Sequence, residues 1–261
     1  MNEHLSLISI IMAGGLGKRM SANKAKVLHE VSGKPMLYHA IQNAHNVGCE
    51  KILVVVGKYK PDIIASMGKL FPPDILKKIM YVTQTEAMLD GNLCMLGTGD
   101  AIRSCLPYFT SLKCINKTKV LILSGDVPFV DMGELTSFSK LENAIMIANL
   151  ENPTGYGRTF IDVERKLVRI VEHALCNPEQ LKCNFVNTGI YNLNVEILEQ
   201  TIPLIELNRE KKEFFLTDFY QHTDKPIQCF FSNCVPKNIN TLQDLQMINR
   251  EHGKNKLMVF S

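Results

Sequence analysis

The sequence lacks tryptophan, long hydrophobic runs and a strong excess of charge of either sign. Its 29 Lys and Arg residues nearly balance 26 Asp and Glu residues, giving a formal net charge of +3 over 261 residues. A protein that binds nucleic acid by neutralising phosphates usually has a larger basic excess, so we predict no nucleic-acid partner. The first apolar run, residues 7–12, is too short to span a membrane and follows no basic stretch. We therefore predict a cytoplasmic protein without a membrane partner.

Cysteine is present, but in no pattern that binds metal or forms a disulfide framework. The 8 cysteines are scattered and no Cys-x-x-Cys pair occurs, so neither a zinc ribbon nor a dithiol redox motif is predicted. Scattered cysteines of this kind typically serve as small buried hydrophobic residues in proteins of a reducing compartment. The 46% hydrophobic and 21% charged residues are ordinary for a globular protein and exclude a disordered chain.

Strand-like and helix-like segments alternate through roughly the first 150 residues. Patterns of buried strands cover residues 7–12, 51–56, 79–83 and 119–124. Apolar residues at helical spacing follow Pro35 and Pro61 and recur over residues 98–106. This order predicts an α/β fold with a Rossmann-like, mostly parallel sheet flanked by helices on both faces. Ligands bind such sheets beyond the carboxyl ends of the strands.

The pattern changes after about residue 150. Short strands are predicted over residues 158–163, 167–171, 185–193 and 227–231, and helices over 196–202, 213–222 and 241–252. We predict a single domain, residues 1–261, in which an α/β part (about 1–150) continues into a smaller α+β lobe (about 151–236) and a closing C-terminal helix (about 237–252). No internal repeat or long linker divides the chain.

A glycine-rich loop follows the first strand, in the segment Ala13-Gly14-Gly15-Leu16-Gly17. It is not a dinucleotide fingerprint, because Met20 replaces the third glycine, and Arg19 after Lys18 excludes a Walker loop. Bare backbone N–H groups followed by the cations Arg19 and Lys26 suit a triphosphate. The alternative is a tight turn between strand and helix with solvated basic side chains.

Asp126 follows the predicted strand at residues 119–124, at the edge of the sheet where ligands are expected. A carboxylate there can bind Mg²⁺, which prefers oxygen ligands and keeps several waters. The alternative is an Asx turn that organises the loop before Pro128.

Seven strings along the chain resemble, in order, the signatures of sugar-1-phosphate nucleotidyltransferases. They are Ala13–Met36, Leu96–Gly99, Gly125–Pro128, Pro153–Arg158, Ile170–His173, Asn187–Gly189 and Leu216–Asp218. The sequence is most similar to the uridylyltransferase half of the bacterial N-acetylglucosamine-1-phosphate uridylyltransferases, from about residue 7 to 252. The resemblance implies the fold of the nucleotide-diphospho-sugar transferases, with the nucleotide bound by the first part (about 1–150) and the sugar by the second lobe (about 151–236).

The resemblance also implies a reaction. A magnesium-dependent enzyme would transfer UMP from UTP to N-acetylglucosamine 1-phosphate, releasing pyrophosphate by in-line attack without a covalent intermediate. The same reaction with glucose 1-phosphate or another sugar 1-phosphate, using UTP or dTTP, is one alternative. A non-catalytic sensor of nucleotide sugars is another, although such a protein would be expected to lose the charged residues that this sequence keeps.

Site residues are assigned by the same resemblance. The catalytic residues would be Arg19, Lys26 and Asp126, and the Mg²⁺ ligands Asp126 and Asn240, with Asn238 as the alternative register. The nucleotide would contact Ala13, Gly14, Gly15, Gln84, Gly97 and Thr98. The sugar phosphate would contact Gly155, Glu172, Asn187 and Thr217.

The sequence departs from the family pattern at several points. Thirteen positions separate Gln84 from Gly97, more than in the bacterial enzymes, and the extra residues contain the turn signal Asp90-Gly91-Asn92. Phe214 and Phe215 stand where tyrosines are usual. The hexapeptide repeats of the bacterial acetyltransferase domain are absent from the sequence, so we expect no acetyl transfer and a monomer or homodimer.

Overall fold

A computed structural model of the chain describes residues 6–15, 17, 20, 23–89, 91–110 and 118–258. The strands in these residues are β1 (Ser6–Met12), β2 (Glu30–Val31), β3 (Lys34–Pro35), β4 (Lys51–Val56), β5 (Ile79–Thr83), β6 (Ala87–Leu89), β7 (Asn92–Cys94), β8 (Thr118–Ser124), β9 (Ala144–Asn149), β10 (Arg158–Ile161), β11 (Leu167–Val171), β12 (Phe185–Asn194) and β13 (Gln228–Ser232). The helices are α1 (Met36–Asn46), α2 (Lys60–Leu70), α3 (Pro73–Leu76), α4 (Gly97–Arg103), α5 (Leu106–Phe109), α6 (Met132–Phe138), α7 (Pro178–Leu181), α8 (Val195–Thr201) and α9 (Leu242–Met258). Short 3-10 helices cover Lys26–Leu28, His173–Leu175, Ile202–Leu204 and Leu216–His222.

One mixed sheet of nine strands organises the molecule. Its main path runs β11-β10-β12-β8-β1-β4-β5, and β9 pairs with both β12 and β13. The strands β8, β1, β4 and β5 are parallel, whereas β12 is antiparallel to β8 and to β9. The predicted α/β fold, a mostly parallel sheet flanked by helices, is therefore confirmed. The single sheet also passes through both predicted parts of the chain.

Apolar side chains cover both faces of this sheet. On β1, Ile8 and Ile10 belong to one buried cluster, which α4, α5 and α8 complete with residues such as Phe109 and Leu198. Ile11, at the alternate position, belongs to the other cluster, which α1, α2 and α6 complete. Alternate residues of a strand point to opposite faces, so this continuous apolar run predicts burial on both sides.

The carboxyl ends of the parallel strands lie next to each other. Met12 at the end of β1 is paired with Ser124 of β8 and with Val55 of β4. The Gly125 N–H donates to the Met12 carbonyl at 2.9 Å. This register places the glycine loop beside the Asp126 loop.

Several elements differ from the prediction. The helix expected over residues 213–222 is a 3-10 helix at Leu216–His222 only. The Phe214 N–H donates to the Leu96 carbonyl at 2.7 Å, and the Phe214 carbonyl accepts from the Gly99 N–H at 2.8 Å. These two groups of Phe214 are therefore not available for helical hydrogen bonds. The strand β9 and helix α6 were not predicted at all, and α9 extends beyond the predicted end at 252. No helix in the described residues is long and apolar enough to cross a membrane.

Candidate active site

A cavity of about 650 Å³ lies at the carboxyl edge of the parallel strands. Such a volume is within the range of small-molecule sites. It brings together residues that are far apart in the sequence. Its lining includes Ala13, Gly14, Gly15, Gly17, Lys26, Gln84, Met95, Gly97, Thr98, Asp126, Lys211, Lys212, Glu213 and Asn240. Every predicted nucleotide-binding residue and both predicted metal ligands are in this set. Arg19, the remaining predicted catalytic residue, lies outside the described residues.

Glycine is required in the loop after β1 for two different reasons. Gly17 has a φ of +61°, and a Cβ there would lie 2.6 Å from the Cβ of Lys26. Only glycine therefore lets the loop pass beside Lys26. At Gly14 a Cβ would lie 3.1 Å from both the Gln84 Oε1 and the Met95 Cε. Gly14 and Gly17 are therefore packed closely against the side chains of the cavity.

Three side chains converge at the floor of the cavity. The Lys26 ammonium forms a short ion pair with Asp126 and donates to the Asn240 Oδ1 at 2.8 Å. The Ser124 hydroxyl donates to the other carboxylate oxygen of Asp126 at 2.6 Å. The Lys26 and Asp126 side chains are only 13% and 15% exposed. Partial burial strengthens the attraction between these charges compared with a surface pair.

The backbone holds Asn240 at this position. The Ile239 N–H donates to the Asp126 carbonyl at 2.9 Å, and Ile239 is fully buried. The Asp244 carboxylate accepts from the Asn240 and Thr241 N–H groups at 2.9 and 2.8 Å. The Thr241 hydroxyl accepts from the Asp244 N–H at 3.1 Å. Thr241 thus caps the start of α9, which leaves the Asn240 side chain directed at Lys26.

The two candidate asparagines have different surroundings. Asn240 lines the cavity and contacts Lys26. The Asn238 Oδ1 is buried without a hydrogen bond, and Asn238 is absent from the described cavity lining. Of the two, Asn240 is thus the one that lies beside the Lys26–Asp126 pair.

Gln84 occupies the opposite side of the cavity and is only 5% exposed. Its backbone N–H donates to the Val56 carbonyl at 2.9 Å. Its side-chain amide donates to the Gly97 carbonyl and to the Asp100 Oδ2, each at 3.0 Å. The Thr98 hydroxyl accepts from the Leu216 N–H at 3.0 Å. The turn at the start of α4 is thus joined to the second lobe.

Three predicted sugar-binding residues, Glu172, Thr217 and Asn187, form a cluster that is absent from the described cavity lining. Gly157 links them, because its carbonyl accepts from the Asn187 N–H at 2.9 Å and a Cβ there would lie 3.6 Å from the Glu172 Oε2. The Thr217 hydroxyl donates to the Glu172 Oε1 at 2.9 Å. Burial raises the pKa of Glu172, and the hydrogen bond from Thr217 partly offsets this rise. The Asn187 amide donates to the Tyr191 hydroxyl at 2.6 Å, and its Oδ1 accepts from the Gly189 N–H at 3.1 Å. The fourth predicted residue, Gly155, has a φ of +86° and open space around its Cβ position.

A buried arginine holds the loop that carries Gly155. Arg158, 2% exposed, donates to the carbonyls of Pro153 at 2.6 Å and Tyr156 at 2.5 Å. Burial raises the pKa of Tyr156, whereas a hydrogen bond with the Asn238 backbone lowers it. Arg158 thereby fixes a loop that lies between the second lobe and the segment before α9.

Comparisons with known proteins identify the family of the chain. The family model described as "Nucleotidyl transferase" matches residues 8–232. The chain belongs to the nucleotidyl transferase family. It is 33% identical to a "Probable UDP-N-acetylglucosamine pyrophosphorylase" of Acanthamoeba polyphaga mimivirus, over 95% of this chain and 96% of that protein. It is 31% identical to the "Bifunctional protein GlmU" of Sulfurimonas denitrificans, over 95% of this chain.

These relatives differ in length. The nucleotidyltransferase spans nearly all of the viral relative but only 55% of the Sulfurimonas denitrificans protein.

Among solved structures, the fold matches a putative glucose-1-phosphate thymidylyltransferase from Bacillus anthracis, with a TM-score of 0.71, 20% identity and 94% of each chain covered. It also matches a UDP-glucose pyrophosphorylase complexed with UDP-glucose, with a TM-score of 0.70, 18% identity and coverage of 97% of this chain and 100% of that one. The family predicted from the sequence is thus confirmed.

Sequence reasoning missed several residues that line the nucleotidyltransferase cavity or contact its lining. The Ser124 hydroxyl donates to Asp126, and the Asp100 carboxylate accepts from the Gln84 amide. Only the tertiary structure reveals these contacts. The extra residues after Gln84 form the hairpin β6–β7, with Met95 beyond it on the cavity wall. The segment 211–213 also lines the cavity, because a turn between Asn208 and Glu213 brings it next to Gly97.

Proposed function

We propose that this nucleotidyltransferase transfers UMP from UTP to N-acetylglucosamine 1-phosphate, with Mg²⁺, and releases pyrophosphate. One observation carries the proposal: Lys26, Asp126 and Asn240 converge beside a glycine loop at the carboxyl edge of a parallel sheet. The name of the viral relative supports N-acetylglucosamine as the sugar. We further propose a cytoplasmic monomer or homodimer.

The nucleotide would bind in the cavity with its phosphates at the glycine loop. The N–H groups near Gly14 and Gly15 can approach phosphate oxygens closely, because no Cβ of these residues intervenes. The Lys26 ammonium would donate to phosphate oxygens and reduce the repulsion of a second anion. The attacking oxygen belongs to the sugar phosphate, so the protein has to position two anions rather than supply a nucleophile.

Asp126 and Asn240 have the donor atoms that suit Mg²⁺. Their oxygens already converge on one positive charge, the Lys26 ammonium, and carboxylate and amide oxygens are ligands that Mg²⁺ accepts. In the described residues no group of three or more His, Cys, Asp and Glu could hold a metal, so water and phosphate oxygens would complete the shell. When bound, Mg²⁺ would screen the phosphate charges and orient the triphosphate.

The sugar would bind at the cluster of Glu172, Thr217 and Asn187, with the Gly155 loop beside it. A carboxylate accepts hydrogen bonds from hydroxyl or acetamido N–H groups, and a hydroxyl or amide can donate or accept. The segment 213–217 links this cluster to the turn at Gly97. Both substrates would therefore meet where the second lobe adjoins the parallel sheet.

The experiment is an assay of pyrophosphate release with UTP, dTTP, CTP, ATP and GTP against N-acetylglucosamine 1-phosphate and glucose 1-phosphate. Each pair is measured with Mg²⁺ and with EDTA. We expect the fastest turnover with UTP and N-acetylglucosamine 1-phosphate and none in EDTA. A preference for glucose 1-phosphate or dTTP would replace the substrate assignment. Binding without turnover for every pair would refute catalysis and indicate a nucleotide-sugar sensor.

A further inference from the structure

The side-chain amide of Gln84 is held in one orientation by two groups on α4. Its Nε2 donates to the Gly97 carbonyl and to the Asp100 Oδ2, each at 3.0 Å. A backbone carbonyl and an ionised carboxylate can only accept hydrogen bonds, so these contacts use both hydrogens of the amide. The Oε1 of Gln84 lies on the other side, where a Cβ at Gly14 would be 3.1 Å away.

We propose that Asp100 is a specificity-determining residue that selects the nucleotide base through Gln84. The inference rests on the proposed function and extends it to the choice between pyrimidines. Asp100 acts through Gln84 rather than on the base itself, so it is a positioning residue. Its carboxylate keeps the Gln84 NH₂ group turned toward α4 and thereby presents the Oε1 to the base.

The chemistry of the pyrimidine edge explains why this orientation matters. Uracil carries a donor at N3, which pairs with an acceptor oxygen. Cytosine carries a lone pair at the same atom, so an acceptor oxygen would repel it. A flipped amide has almost the same shape but would present its NH₂ group, which suits cytosine. The base that is favoured therefore depends on the groups that hold the far side of Gln84.

Asp100 is better suited than a neutral side chain to hold this orientation. The Gly97 carbonyl accepts only one of the two amide hydrogens. The carboxylate accepts the other in a charge-assisted bond, which is stronger than a bond between neutral groups. Gln84 is 5% exposed, so water has little access to compensate a flipped amide. An asparagine at position 100 could instead donate to the flipped Oε1 and remove the penalty.

The test uses the isosteric substitution Asp100→Asn. Asp62→Asn is the matched control, because Asp62 also lies in the first turn of a helix but is exposed and outside this cavity. The ratio of kcat/KM for UTP to that for CTP is measured for the three proteins with N-acetylglucosamine 1-phosphate. Calorimetric titration with UTP and with CTP, without the sugar phosphate, gives the binding ratio independently of turnover. Thermal melts show whether each variant is folded.

We expect the UTP preference of the wild type to fall about tenfold or more in Asp100→Asn and to persist in Asp62→Asn. An unchanged ratio in folded Asp100→Asn would overturn the inference, as would equal losses for UTP and CTP, which would indicate a purely structural role. If Asp100→Asn does not fold, Asp100→Ser, which can also donate, is held to the same criterion. A wild type that neither binds nor converts any pyrimidine nucleotide would overturn the proposed function itself. That result differs from the one that would overturn only the inference, in which the wild type and Asp100→Asn prefer UTP equally.

Discussion

The substitution Asp126→Asn separates the proposed catalytic role of this carboxylate from its structural role. Asparagine has the same shape and can still accept the 2.6 Å hydrogen bond from Ser124. It removes the negative charge that pairs with Lys26. The loop itself is held by backbone bonds, from Val127 to Ser124 at 3.1 Å and from Ile239 to Asp126 at 2.9 Å, and these do not depend on the side chain.

The two expected effects differ greatly in size. Loss of a hydrogen-bonded charge pair costs about 1–3 kcal/mol of folding stability. For a chain of this size that corresponds to a fall in Tm of no more than about 10 °C. Removal of one electrostatic group from an active site costs about 10²–10³-fold in rate. Because Asp126 is also the proposed Mg²⁺ ligand, we expect kcat to fall about 10³-fold or more.

The assay is pyrophosphate release at saturating UTP and N-acetylglucosamine 1-phosphate, with melting curves for every protein. Asp131→Asn is the control, because the Asp131 carboxylate caps α6 at 2.8 Å and is absent from the described cavity lining. The control should retain activity within about twofold of the wild type. A folded Asp126→Asn variant within about tenfold of the wild-type kcat would refute the reasoning.

Three further predictions concern other parts of the site. Lys26→Met, which keeps the length of the apolar stem, should lower kcat/KM about 10²-fold, and a smaller effect in steady-state kinetics would argue against a phosphate contact. Burial raises the pKa of Glu172, so protonation on acidification should weaken binding of the sugar phosphate. A group whose pKa is raised on folding stabilises the folded protein at low pH, and this contribution is lost as the pH rises through the folded-state pKa. Glu172→Gln should therefore raise Tm more in alkaline than in acidic buffer and should abolish the pH dependence of sugar-phosphate binding. Equal Tm shifts at both pH values would contradict this. Gly97→Ala places a Cβ 2.8 Å from the Phe214 carbonyl oxygen and should cost about 3 kcal/mol or more in chemical denaturation. Gly48→Ala, at a φ of +90° with open space, should cost only about 1–2 kcal/mol, and equal costs would refute the steric argument.

Much of the parallel sheet could be predicted from local sequence. The strands at 51–56 and 79–83 have the predicted bounds. Residues 52–56 are all buried, and a strand buried on both faces produces a continuous apolar run with clear ends. The strand β5 lies at the end of the sheet path, and Val82 is its one buried residue. Helix α6 and strand β9 were missed, although β9 is a short apolar run that is buried between β12 and β13. A run of six residues does not by itself distinguish a strand from a buried piece of helix.

The sequence alone indicated the fold class, the family and the predicted nucleotide-binding residues that line the cavity, because each is marked by a local signal: an apolar run, a glycine or a short motif. It left Asn238 and Asn240 undecided and contained no sign that Asp100 holds Gln84. The tertiary structure shows that Asn240 contacts Lys26 and that Asp100 contacts Gln84, and these contacts join segments 16 to more than 200 residues apart. Hydrogen-bond partners depend on distance and direction in space, and no local pattern records them.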